Sequence, residues 1–283
     1  MSYTKYWKLN ERPFEEVCDT HFFYESGDHR EALDRLGYVV NDHNMNMGLL
    51  TGEVGSGKTL TKNVFMSTLN RSQFEIINFE NSNFEFNDIL FDIIQRITFH
   101  DSRIDLMNTD APPLRNDKYG LMQVFKKKLD TLFYEEKRHL VIIFDEAQQI
   151  ADSVLDEIKN LTNVSSNIEN FLTIFFVGQP ELREKVRRLK QIDQRIFLRF
   201  HLNNLDYNNT TNYISHRLRI AGNASNPIFT IPTLELIFRT SGGVPREINR
   251  ICKLALNYGF AHNLSELSKD DIQLIIDDLQ ENS

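Results

Sequence analysis

Short, largely apolar runs alternate along the chain with stretches in which apolar residues recur every three or four positions. Met47–Thr51, Phe74–Phe79, His139–Phe144 and Phe171–Val177 are runs of five to seven residues bounded by polar ones, the pattern of strands buried in a parallel sheet. Ile196–Leu202 reads as a last strand. Helical periodicity fills the intervals, so the repetition predicts an α/β fold built on a parallel sheet. From about Asn203 the texture changes. The polar stretch NNLDYNNTTN is followed only by helical spacing, with Leu234, Ile237 and Phe238 on one helix. Ile248, Ile251, Cys252, Ala255 and Leu256 mark another, and Ile272, Leu274, Ile275 and Leu279 the last. We therefore expect a boundary near Asn204, between an α/β base over 1–203 and a helical lid over 204–283. Asp101–Lys118, with Pro112 and Pro113, reads as a flexible loop.

Composition changes this picture little. At 283 residues, 41% hydrophobic and 25% charged, the chain has the ordinary balance of a globular protein with one large or two moderate cores. No apolar run approaches the roughly 20 residues of a membrane-spanning helix, and the N-terminal MSYTKYWKLNERPF lacks the apolar centre of a signal peptide. The expectation is a cytoplasmic chain without membrane insertion. Cys18 and Cys252 lie far apart without CxxC spacing, which supports neither disulfide nor zinc and reads as small buried hydrophobes. The eight histidines are scattered without HxxxH or HExxH spacing and read as structural or surface residues.

The chemistry concentrates in a few segments. GEVGSGKT, comprising Gly52, Glu53, Val54, Gly55, Ser56, Gly57, Lys58 and Thr59, matches G-x-x-x-x-G-K-[ST] completely. It follows an apolar strand and precedes a helix beginning near Leu60, which is the context the motif requires. Glycines let backbone N–H groups curl around a phosphate, and the helix N-terminus adds positive potential. Lys58 is then placed to reach the β- and γ-phosphates, and the Thr59 hydroxyl to ligate Mg2+. LVIIFDE ends a second buried strand on Asp145 and Glu146. There Asp145 suits a magnesium ligand, direct or through water, and Glu146 suits the polarisation of an attacking water.

Gln179 follows a third apolar run, where its amide suits a hydrogen bond to that water or to the γ-phosphate; GQP is equally a turn. The formal net charge of −8 argues against a wholly basic nucleic-acid coat. Against that background, Glu181–Phe200 carries a local basic excess, including Arg183, Arg187, Arg188 and Arg195. It reads as a solvated helix face, a nucleic-acid contact, or a surface pressed on a neighbour's ATP, with Arg195 the candidate arginine finger. Arg246 falls in the first turn of a helix after SGGVP. The helix dipole opposes a cation there, so a bound phosphate or an ion pair with Glu235 or Glu247 is expected.

The ordered set KLNERPFEEVCDTHFFYES, HREAL, TGEVGSGKTL, VIIFDEAQQI, FFVGQPELREKV, QRI, ISHRLRIAG and SGGVPREINRIC resembles the AAA+ ATPases of the ExeA/GspA type. The resemblance implies a Walker A motif at Gly52–Thr59 and a Walker B motif at Asp145 and Glu146. It also implies a sensor-1 residue at Gln179, an arginine finger at Arg195 and a sensor-2 arginine at Arg246. Further implications are sheet order 5-1-4-3-2, an adenine-side N-terminal region, and homo-oligomeric rings or filaments with ATP at subunit interfaces. Long members continue into a transmembrane helix and a peptidoglycan-binding domain. This chain is more similar to short, soluble relatives such as the MSHA pilus biogenesis ATPase MshM, and shares its architecture with DNA-binding transposition regulators of the TnsC type. The expected activity is hydrolysis of Mg-ATP. The expected partners are secretion or type IV pilus assembly proteins, or alternatively DNA and a transposase.

Overall fold

The computed structural model describes residues 2–42, 44–81, 83–107, 113–164, 169–222 and 228–281. They form two compact units. One comprises Glu31–Gly52 and Thr61–His201; the other comprises Met1–Arg30, Glu53–Leu60 and Leu202–Ser283.

The first unit is built on a five-stranded sheet of β1 (Met47–Gly52), β2 (Phe74–Phe79), β3 (His139–Phe144), β4 (Leu172–Gly178) and β5 (Leu198–Leu202). The spatial order is β2-β3-β4-β1-β5, the expected order read from the other edge. β1, β3 and β4 are buried at every position, which is why their sequences are continuous apolar runs. β5 lies at the sheet edge, starts two residues later than the apolar pattern suggests, and is only half-buried. The same unit holds α1 (Gly27–Asn41) from Glu31 onward, α2 (Lys58–Thr68) from Thr61 onward, α3 (Phe86–Arg96), α4 (Lys118–Tyr134), α5 (Asp152–Leu161) and α6 (Pro180–Arg188). Where β1 passes Phe175, Gly48 is required. A Cβ there would stand 2.7 Å from the phenylalanine ring.

Parallel register brings the strand ends together on one edge. Phe79 pairs with Phe144 and Phe144 with Phe176. Their rings stack across three strands at 5.0 and 5.8 Å between centroids. This aromatic ladder lies directly before Asp145, so the acidic pair leaves the sheet from a rigid base. Within the expected loop Asp101–Lys118, Ser102–Met107 is helical, while 108–112, including Pro112, lie outside the described residues.

The second unit packs the N-terminal thirty residues with α7 (Tyr207–Ile220), α8 (Ile231–Ser241), α9 (Pro245–Ala261) and α10 (Lys269–Glu281). Trp7, Phe14 and Phe22 are buried in the same core as Leu218, Ile237, Ile251 and Leu256. The Trp7 indole N–H donates to the Leu256 carbonyl at 2.8 Å. Buried Arg217 donates to the Pro13 carbonyl and to Tyr213 Oη, and lies over the Phe22 ring. An expected base spanning 1–203 thus departs from the packing at its N-terminus. Aromatic residues without helical or strand period bury their area on the C-terminal helices instead. The cysteines also differ from each other. Cys252 is buried, which raises its thiol pKa, whereas Cys18 is exposed rather than buried.

Candidate nucleotide site

Within the second unit the glycine loop is shaped by residues that only glycine fits. Gly55 and Gly57 have φ of +80° and +99°, the left-handed region costly to other residues. A Cβ on Gly55 would meet Arg246 Cβ at 2.8 Å and Val244 at 3.1 Å. The Arg246 N–H donates to the Gly55 carbonyl at 3.4 Å. Arg246 gets there because α8 stops at Gly242 and Gly243, both of positive φ, and α9 restarts with Pro245 at its first turn. Among the described residues the Arg246 guanidinium has no hydrogen-bond or ion-pair partner. Glu235 and Glu247, its expected acidic partners, pair with Arg239 and Arg250 instead.

Ser56 Oγ is buried without a hydrogen-bond partner among the described residues, an acceptor-donor left for a ligand. Lys58 is 6% exposed, and its Nζ donates to the Glu53 carbonyl at 2.7 Å. The lysine is thereby folded over its own loop. His29, which nothing in the sequence singled out, lies against the glycine loop. Its Nε2 is 3.2 Å from where a Gly57 Cβ would stand, and its Nδ1 is 2.6 Å from Ser26 Oγ. Burial pushes its pKa down to about 4, while Asp28 and Glu25 pull it upward.

Within the first unit the acidic pair is held differently at each residue. Asp145 is 3% exposed, and its Oδ2 accepts from Lys62 Nζ at 2.7 Å. Its Oδ1 accepts from the Glu146 backbone N–H at 3.0 Å. Glu146 adopts φ +49°, an unfavourable backbone state for a residue with a Cβ. The turn aims its carboxylate at two amides. Gln148 Nε2 donates to Glu146 Oε2 at 2.6 Å and Gln179 Nε2 to the same oxygen at 3.2 Å. Gln148 Oε1 in turn accepts from the Gln179 backbone N–H at 3.2 Å. Gly178 admits this amide, for a Cβ there would lie 2.5 Å from Gln148 Oε1.

Arg195, before β5, donates to Thr162 Oγ1 at 2.7 Å and Asn163 Oδ1 at 2.8 Å, just beyond α5. Lys62 and Gln148 carried no signal of their own in the sequence. One lies a turn beyond Lys58, and the other is a neutral amide in AQQ.

The donor types fit magnesium. Asp145 and Thr59 offer hard oxygens, and among the described residues no cluster of three or more His, Cys, Asp or Glu could hold a metal alone. The residues thus divide into a phosphate-shaped loop and a carboxylate–amide cluster.

A parallel sheet of this order, with the glycine loop after β1 and an acidic pair after β3, defines a P-loop nucleotide-binding protein. The family model of the AAA domain matches residues 41–186, and the chain belongs to that family. General secretion pathway protein A of Aeromonas hydrophila is 33% identical over 276 residues, covering 96% of this chain and 47% of the relative. The chain therefore spans about half the length of that relative, and its kinship is with AAA+ ATPases of the ExeA/GspA type.

Among solved structures, the Aeropyrum pernix ORC2 protein in ADPNP–ADP complexes matches with a TM-score of 0.66 and 17% identity. The match covers 95% of this chain and 71% of that one. Drosophila ORC bound to DNA matches with a TM-score of 0.68 and 15% identity, covering 97% and 65%. These likenesses establish the fold. Among the described residues no helix is long and apolar enough to cross a membrane.

Proposed function

We propose that the chain is a magnesium-dependent ATPase that works from the cytoplasm to drive a step of secretion or type IV pilus assembly. The observation that carries the reading is Glu146, turned into a left-handed backbone state and held at its carboxylate by two amides directly after a buried strand. A carboxylate so fixed is prepared to accept a proton from water. The backbone of Gly52–Thr59 and the Lys58 ammonium bind the phosphates, with Leu60 in the first turn of the following helix. Thr59 and Asp145 would hold a magnesium ion, which would supply positive charge against that developing on the phosphoryl oxygens. Gln179 orients the water that Glu146 deprotonates, and Arg246 contributes positive charge to the phosphates.

Arg195 acts as a finger on a neighbouring copy in a ring or filament, with ATP at the subunit interfaces. The general secretion pathway name of the A. hydrophila relative favours the secretion role over regulation of transposition. Glu146→Gln should bind ATP as the parent does and release phosphate about a hundredfold or more slowly. Parallel nucleotide titration and phosphate-release assays decide it. An unchanged kcat would assign the base elsewhere.

A further inference from the structure

Lys62 is a buried cation that the proposed reaction leaves unused. It lies one turn beyond Lys58 on α2, with its side chain 2% exposed, and its ammonium sits 2.7 Å from Asp145 Oδ2, itself on a side chain 5% exposed. A lysine is taken out of water only where its charge is matched. The match here is the same carboxylate that is read as the magnesium ligand. The other Asp145 oxygen accepts the Glu146 N–H, so the pair also fixes the turn that carries the general base. A divalent cation approaching Asp145 meets an ammonium already seated on it, and the two cations repel strongly at such range.

We propose that Lys62 is a built-in competitor of the divalent cation at Asp145. In the nucleotide-free chain the ammonium holds the carboxylate, so magnesium alone is not taken up. The metal gains the site only when it arrives with phosphates that add ligands and negative charge. Lys62 thus makes metal entry conditional on nucleotide, and holds the Asp145–Glu146 turn in place until then. This inference rests on the reading of Asp145 as a metal ligand.

The test is thermal unfolding of the full, nucleotide-free chain with MgCl2 against NaCl at matched ionic strength. Wild type and Lys62→Arg should show no response to Mg2+. Lys62→Met and Lys62→Gln, which remove the ammonium from Asp145 Oδ2, should rise by about 3 °C or more in millimolar Mg2+. Adding Asp145→Asn to either should erase that rise.

The proposal is overturned if wild type responds to Mg2+ as the neutral variants do. It is overturned equally if the neutral variants do not respond, or if the rise survives Asp145→Asn. Failure of both neutral variants to fold with or without Mg2+ would also overturn it, by making Lys62 a structural counter-ion alone. Asp145→Asn by itself separates the layers. If it loses Mg2+-dependent hydrolysis while Lys62→Met ignores Mg2+, only the competitor role falls. If hydrolysis survives in Asp145→Asn, the metal-ligand reading falls with it.

Discussion

Burial keeps the His29 imidazole neutral down to about pH 4, against the pull of Asp28 and Glu25. The unfolded chain takes up that proton near the ordinary value of 6.5, and the folded chain does so only near 4. The stability contributed by the neutral ring is therefore complete above pH 6.5 and is lost as pH falls through 4. The interval corresponds to on the order of 3 kcal/mol. Chemical denaturation at pH 7 and pH 4.5 should show the decline, and His29→Gln should remove most of it. A wild type equally stable at both would contradict the burial argument. In the sequence His29 is one of eight scattered histidines. Only the fold brings its ring against Gly57, because the loop and residues 1–30 belong to one compact unit.

The strands were the most legible elements. Three buried strands announce themselves as apolar runs, and their register brings the ends of β3 and β4, with the acids and Gln179 that follow them, to one edge of the sheet. The turn after β3 was half legible. Asp145 and Glu146 stand out because charge ends an apolar run. Gln148 stayed hidden, since a neutral amide in a short turn has neither charge nor period to mark it. Yet Gln148 bridges the Glu146 carboxylate and the Gln179 backbone, and so ties the end of β3 to the end of β4. Gln148→Ala should lower kcat about ten- to a hundredfold through misplacement of the base, with nucleotide affinity little changed. Steady-state kinetics with a parallel binding titration checks this. A variant with weakened binding and unchanged kcat would place Gln148 in nucleotide contact instead. Lys62 was obscured by its setting, because a lysine one turn after another reads as a solvated helix face.

At the scale of the molecule, the α/β class and sheet order came from alternation and resemblance, while the allegiance of the N-terminus did not. Trp7, Phe14 and Phe22 are spaced without period, so nothing local showed that they share a core with Leu256 and Ile251. The same unit holds the glycine loop and Arg246, and the sheet unit holds Asp145, Glu146, Gln179 and Arg195. Every proposed role depends on the first being a true phosphate loop. Titration of wild type and Lys58→Ala with a fluorescent ATP analogue tests that claim most directly, with an unfolding midpoint to confirm that the variant is folded. Wild type should bind saturably. Lys58→Ala should lose about a hundredfold or more in affinity, the loss of a charge-assisted contact to phosphate. A wild type that does not bind, or a folded Lys58→Ala variant that binds as tightly, would contradict the account.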